Sequence, residues 1–160
     1  FSKTKKNMTT LKIGDTAPDF ACNDENGNLI QLSDYKGSKL VLFFYPKAST
    51  PGCTVEACDL RDNHHRFQAK GYQILGVSAD SPKRQQNFSK KYDFTYPLLA
   101  DEEKEVINAF GVWGPKKFMG KEYDGIHRTT FVIDEKGIIE DVILKVKTKA
   151  RSDQILKLHI

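Results

Sequence analysis

Residues 39–58 read KLVLFFYPKASTPGCTVEAC, and this stretch decides the fold. From Leu40 to Tyr45 every residue is apolar. Apolar side chains on consecutive positions suit a short strand buried on both faces of a sheet. Pro46 has no N–H to continue a ladder, so the strand ends there. Thr50 then fits a helix N-cap, Pro51 the first helical position and Gly52 the second. Cys53 falls at the third position, inside the first turn. There the backbone N–H groups lack intrahelical partners and the helix dipole favours negative charge. A thiolate is such a charge, and it is the nucleophilic form of cysteine. Gly52 lets another group approach the backbone closely.

The helix is predicted over residues 51–69, ending at Gly71. Along it Cys53, Ala57, Leu60, His64 and Phe67 recur at spacings of four and three, a stripe that faces the core apart from its histidine. Cys53 therefore sits at the end of a buried stripe. Cys58 lies five residues on, about 140° round the helix, with the two Cα atoms about 8.6 Å apart. A disulfide tolerates roughly 7 Å. If the two cysteines pair, the first turns must unwind. A single helical cysteine is most often a small buried hydrophobe. A cysteine in the first turn, behind Thr-Pro-Gly and after a buried strand, is harder to read that way. A zinc site from Cys53, Cys58, His64 and His65 lacks a second knuckle and needs a loop where the pattern is helical. No Cys-x-x-Cys motif is present, which argues against a thioredoxin-type disulfide exchanger. Cys22 reads as a core thiol.

Outward from this unit, the pattern alternates strand and helix. Upstream, Asn26-Gly27 marks a turn between extended pieces near Asp19–Cys22 and Leu29–Leu32, an N-terminal hairpin. Downstream, Tyr72–Ser78 is a second buried strand, and Ser81-Pro82 caps a helix to about Lys91. A short helix follows over Glu102–Phe110. Residues 113–127 read as a long loop. Its Trp113, Phe118, Met119 and Tyr123 either line a pocket or partner surface, or pack on one another. Thr129–Asp134 and Ile138–Lys145 form a hairpin, and Ser152–Leu158 a last helix. Lys145, Lys147 and Lys149 suit a solvated strand edge. Of His64 and His65, one reads as core-edge and the other as solvated. The sum is one α/β domain, a central mixed sheet flanked by helices, with no repeat or linker. Residues 11–160 are taken as that domain and 1–10 as a disordered extension or cloning remnant.

Composition removes other classes. Of 160 residues, 39% are hydrophobic and 29% charged, the balance of an ordered globular domain. An apolar run of six falls far short of the roughly 20 residues that span a bilayer as a helix, so no membrane role is expected. Lys plus Arg is 25 against 21 for Asp plus Glu, a net +4, and Lys3, Lys5 and Lys6 supply three of those charges. The rest of the chain is nearly neutral, so no nucleic-acid partner is expected. Three cysteines make no disulfide scaffold, and a cytoplasmic, reducing location is expected.

Over residues 11–159 the sequence resembles the peroxiredoxins, in particular the bacterioferritin comigratory protein or peroxiredoxin Q group. Pro46, Thr50 and Cys53 match the Pro-x-x-x-Thr/Ser-x-x-Cys signature, and a longer match runs from Tyr45 to Cys58. Ala17-Pro18-Asp19-Phe20, residues 76–78 (Gly-Val-Ser), Phe110–Gly114 and Gly125–Arg128 match as well. The resemblance implies a thioredoxin-like fold and a thiol-dependent peroxidase acting on hydrogen peroxide and organic hydroperoxides. By the same resemblance Cys53 attacks the peroxide, and Cys58 resolves the resulting sulfenic acid as an intramolecular disulfide. Thr50 and Arg128 hold peroxide and thiolate, and Pro51 shields the cysteine from water. Pro46, Gly52 and Glu56 complete the pocket. Thioredoxin is the implied reductant, the implied state a monomer, and no metal or organic cofactor is implied. The residue types suit the chemistry. A guanidinium stays charged and stabilises thiolate and departing oxygen alike. A threonine hydroxyl can accept from the peroxide while donating elsewhere. Glu56 close by would oppose the thiolate, so an arginine, Arg128 or Arg61, is expected to neutralise it. Two other readings stand beside this one. One is a one-cysteine peroxidase using another thiol donor, with Cys58 a bystander. The other is a redox-sensing protein whose partner binding changes on oxidation.

Overall fold

The computed structural model describes residues 9–144 and 151–159. Near the start, β1 (Ala21–Asn23) and β2 (Leu29–Gln31) pair antiparallel. Their turn is held by Asp24, whose Oδ1 accepts from Asn26 N at 2.8 Å and Asn28 N at 2.9 Å. A single 3-10 turn, Leu32–Tyr35, leads to β3 (Lys39–Phe44). Then come α1 (Pro51–Asp62), α2 (His64–Ala69), β4 (Tyr72–Ser78), α3 (Pro82–Tyr92) and β5 (Leu98–Ala100). The chain continues with α4 (Glu105–Ala109), β6 (Trp113–Phe118), β7 (Lys121–Ile126), β8 (Thr129–Ile133), β9 (Ile139–Ile143) and α5 (Arg151–His159).

The central sheet runs β5-β4-β3-β8-β9. β3 pairs parallel with β4 and antiparallel with β8, so it lies at the centre. The architecture is thioredoxin-like: a mixed sheet between helices, with the β1–β2 hairpin at the start. The buried run of β3 explains why it is central. Side chains alternate across a strand, and here both sets are buried. Val41, Phe43 and Tyr45 pack with Cys53, Ala57, Leu60, Phe67, Phe88 and Ile155, which brings α1, α2, α3 and α5 to one face. Leu40, Leu42 and Phe44 pack with Val106, Ile107 and Phe110, which brings α4 to the other.

Three local expectations are corrected. Residues 113–127 are not a loop. β6 and β7 form an antiparallel hairpin, Trp113 opposite Ile126 and Phe118 opposite Lys121. Its turn puts Met119 at φ 52° and Gly120 at φ 81°. Two successive positive φ values are what a tight two-residue hairpin needs, usually signalled by Asn-Gly. Methionine at the first position hides the signal. Second, the helix over 51–69 breaks at Asn63, whose side-chain Nδ2 donates to Asp59 O at 2.9 Å and competes with the helical ladder. Third, the helix expected from Glu102 starts only at Glu105. Asp101 accepts from Glu105 N at 3.0 Å and Ile107 N at 2.8 Å, and Lys104 is at φ 61°. Lys145, Lys147 and Lys149 lie outside the described residues.

Candidate active site

The site forms where β3 ends and α1 begins. Tyr45 still bonds the sheet, N to Val77 O at 3.1 Å. Pro46 then turns the chain out. The loop to Thr50 is fixed from the end of β4: the buried Asp80 Oδ2 accepts from Ala48 N and from Ser78 Oγ, both at 2.7 Å. Ser49 takes φ 66°, and Thr50 is the N-cap of α1 with extended backbone. The Thr50 side chain does not cap the helix. Its hydroxyl donates to Lys47 O at 2.8 Å, which leaves its oxygen as an acceptor.

Pro51, Gly52 and Cys53 occupy the first three helical positions. Cys53 is only 1% exposed, and Ala57, Leu60 and Phe67 are buried with it, as the stripe requires; His64, expected to be the exception, is buried too. His65 is exposed. His64 Nδ1 meets Thr95 Oγ1, and burial lowers its pKa from 6.5.

Arg128, just ahead of β8, reaches the site across 75 residues. Its Nη2 lies 3.4 Å from Cys53 Sγ, and its Nη1 donates to Glu56 Oε1 at 2.8 Å. Glu56 is fully buried beneath it. Burial opposes the charge on Arg128, but Cys53 and Glu56 outweigh it and hold the guanidinium above its ordinary value. The arginine that pairs Glu56 is thus Arg128. Arg61 turns instead to Asp62 and to Tyr92 O. Gly52 allows the approach: a Cβ there would sit 3.3 Å from Arg128 Nη2.

Of the other pocket residues named from sequence, Pro46 lines an open cleft of about 410 Å³ with Lys47, Trp113, Lys116, Tyr123 and Gly125. Pro51 is exposed at the head of α1. The apolar residues of the β6–β7 hairpin divide. Trp113 and Tyr123 line the cleft, whereas Met119 at the turn is 85% exposed.

Cys53 and Cys58 are both free and share the intact α1. Cys58 is half-buried. Burial raises its pKa, Arg61 lowers it less, and Asp62 adds to the rise. The helix around and beyond Cys58 is tied down. Tyr96 Oη donates to Ala57 O at 2.7 Å, Asp59 Oδ2 accepts from Ser152 N at 2.6 Å, and Arg61 Nη1 donates to Tyr92 O at 2.6 Å. These bonds hold the C-terminal half of α1 to Tyr96, to α5 and to the end of α3. Cys22 packs at the edge of the other core, its pKa pushed by burial to about 12.

Two residues at the site were not singled out from sequence. Asp80 is three residues beyond Val77 on β4, and its hold on Ala48 is a contact over 32 residues. Lys116 belongs to the hairpin that was read as loop. Its Nζ donates to Ile126 O at 2.8 Å. Neither WGPKKF nor KEYDGI alternates apolar with polar residues, so no local pattern marked the hairpin that carries it.

Residues 13–142 match the family model described as AhpC/TSA family. The chain is 47% identical over 149 residues to the peroxiredoxin Bcp of Escherichia coli, covering 93% of this chain and 96% of that one. Among solved structures, the peroxidoxin BcpB of Mycobacterium tuberculosis superposes with TM-score 0.81 at 38% identity, over 92% of this chain and 95% of that one. The bacterioferritin comigratory protein of Xanthomonas campestris, solved in connection with its alkyl peroxide reduction activity, gives TM-score 0.85 at 34% identity, over 94% and 99%.

Proposed function

The chain belongs to the AhpC/TSA family, in its Bcp and peroxiredoxin Q branch, and from that membership we propose which residues carry the reaction. The protein is a thiol peroxidase that reduces peroxides through a cysteine sulfenic acid and is recycled by thioredoxin. Hydrogen peroxide and alkyl hydroperoxides are the proposed substrates.

Cys53 is the attacking thiol. Its thiolate displaces the O–O bond, one oxygen stays on sulfur as sulfenic acid, and the other leaves as alkoxide or hydroxide and takes up a proton. Arg128 stabilises the thiolate before the displacement and the departing charge during it. Thr50, whose proton is engaged on Lys47 O, accepts from the peroxide. Pro46 borders the substrate side of the site and the neighbouring cleft. Pro51 and Gly52 keep the head of α1 close over the thiol, and Glu56 orients Arg128. Cys58 then attacks the Cys53 sulfenic acid, forming a disulfide and releasing water. Thioredoxin dithiol reduces that disulfide. The observation that carries the assignment is the Arg128 fork, one nitrogen on Cys53 Sγ and the other on the buried Glu56.

Among the described residues no helix is long and apolar enough to cross a membrane. A cytoplasmic location, a monomeric state and a folded domain over residues 11–160 complete the reading. They rest on the free thiols, on a resolving thiol in the same chain and on the span of the resemblance.

The test is a single turnover. Reduced protein is mixed with one equivalent of hydrogen peroxide and examined by intact mass and thiol-blocked peptide mapping. Loss of two hydrogens with Cys53 linked to Cys58 is expected. Stable oxygen addition at Cys53 with Cys58 still free would leave the one-cysteine cycle. An unmodified Cys53 would remove it from the reaction.

A further inference from the structure

Thr50 holds the N-cap position of α1. A threonine hydroxyl there ordinarily accepts from the backbone N–H of the second or third helical residue, which here is Gly52 or Cys53. Thr50 makes neither bond. Its proton lies on Lys47 O at 2.8 Å. A hydroxyl has one proton, so that bond decides what Thr50 offers a substrate: an oxygen that accepts, and no donor. The bond in turn requires the Lys47 carbonyl to point at Thr50.

That carbonyl belongs to the peptide joining Lys47 to Ala48. The peptide is planar and trans, with C=O and N–H directed to opposite sides. Its N–H is the one that Asp80 Oδ2 accepts at 2.7 Å. One rigid unit therefore carries both bonds, with the Asp80 carboxylate at one end and the Thr50 hydroxyl at the other. Fixing the N–H fixes the carbonyl. The loop needs such a restraint. Pro46 brings no N–H to it, and Ser49 sits at φ 66°, a conformation that the surrounding structure has to maintain in a residue other than glycine.

Asp80 is itself held in place. Ser78, fully buried at the end of β4, donates from Oγ to the same Oδ2 at 2.7 Å and accepts from Asp80 N at 3.3 Å. Ser78 O accepts in turn from Asp101 N at 3.0 Å, just past β5. The other carboxylate oxygen, Oδ1, faces Arg84 Nη1 at 4.0 Å, and the Arg84 side chain is 60% exposed, so that pair is weak. Tyr45, just before the loop, gives its hydroxyl proton to Gln85 Oε1 at 2.6 Å and does not compete for Asp80. The short contacts of the carboxylate thus run to β4 and to the loop.

We propose that Asp80 is a positioning residue of the peroxide site: through the Lys47–Ala48 peptide it keeps the Thr50 proton on Lys47 O and the Thr50 oxygen available to the substrate as an acceptor. The inference rests on the assignment of Cys53 and Thr50 above. Its test is a double-mutant cycle of Asp80→Ala and Thr50→Val, read by single-turnover oxidation of Cys53 with hydrogen peroxide. Alkylation of Cys53 by iodoacetamide near pH 10 measures access to the thiol. Asp80→Asn, which keeps the size of the aspartate, is carried through the same cycle, so the outcome does not depend on how alanine is tolerated. Each single variant is expected to oxidise at least about tenfold more slowly than wild type. The double variant should match Thr50→Val within about twofold, because the anchor has no effect once the hydroxyl it positions is gone. Alkylation in the Asp80 variants should stay near wild type. Losses that multiply in the double variant would overturn the proposal, since independent sites add their free energies. So would Asp80→Ala oxidising at the wild-type rate, or alkylation falling in parallel with oxidation, the mark of a collapsed loop. Thr50→Val oxidising at the wild-type rate would bring down the assignment of Thr50, and the inference with it.

Discussion

Replacing Arg128 by methionine tests the site through the buried carboxylate beneath it. Glu56 is 0% exposed, the Arg128 side chain 23%, and the two meet at 2.8 Å. Breaking a buried pair from one side leaves an uncompensated charge, at a cost of about 3–5 kcal/mol. Arg128 is partly exposed, so water can enter the space it vacates, and the low end, about 3 kcal/mol, is the expected loss. The double variant Arg128→Met with Glu56→Gln removes both charges and should lose only about 1 kcal/mol, the scale of a forfeited hydrogen bond. Urea unfolding followed by circular dichroism under reducing conditions measures both. With a slope of about 2 kcal/mol per molar, the single variant should unfold near 1.5 M earlier than wild type and the double about 0.5 M earlier. Peroxide reactivity separates from stability. Both proteins should lose it by about a hundredfold or more, because neither offers the guanidinium to the departing oxygen. Equal midpoints for single and double variants would refute the claim that Arg128 neutralises Glu56. Recovery of peroxide reactivity in the double would refute the role of Arg128 in the displacement.

Three further outcomes follow from other parts of the structure. In Gly76→Ala the new Cβ would lie 2.9 Å from both Leu98 Cδ2 and Phe43 Cζ in the middle of the sheet. A loss of about 1–3 kcal/mol in urea unfolding is expected from overpacking, and an unchanged midpoint would mean the core yields there. Burial holds the pKa of His64 below 6.5, so the unfolded chain binds its proton first as the pH falls. Stability from this group is complete above 6.5 and is lost below it. His64→Gln should flatten that dependence between pH 8 and pH 5, and identical slopes would exclude His64 as its source. Asp80→Asn replaces an acceptor of two 2.7 Å bonds with an amide that can turn a donor toward Ala48 N. The peroxide oxidation rate of Cys53 should fall at least about tenfold from misplacement of the loop, while alkylation near pH 10 stays close to wild type. Parallel losses in both assays would make the effect a general unfolding of the site.

The head of α1 was legible because its signals are local. Thr50, Pro51, Gly52 and Cys53 take their helix positions from neighbours within a few residues, and the buried stripe follows from the helical repeat. Consecutive apolar residues likewise marked β3 and β4 as interior strands. The break at Asn63 was less legible, since it depends on one side-chain amide taking a carbonyl from the helix. The β6–β7 hairpin was missed because its tight turn uses Met119 at positive φ, a conformation that side chain seldom signals.

What the sequence determined by itself is a cysteine in the first turn of a helix behind a buried strand, with a second cysteine too far round that helix for a disulfide while the helix is intact. These follow from backbone geometry over a dozen residues. Tertiary structure decided what surrounds the thiol. Arg128 meets Cys53 because β8 pairs with β3 and delivers the residue before it to the head of α1. Asp80 meets the Pro46–Thr50 loop because β4 runs parallel beside β3 and ends at the same edge. The β6–β7 hairpin brings Lys116 and Tyr123 to one cleft with Pro46 and Asp80. Each contact joins residues dozens of positions apart. Its existence depends on strand order and register, which the packing of the whole sheet selects and no short stretch of sequence contains.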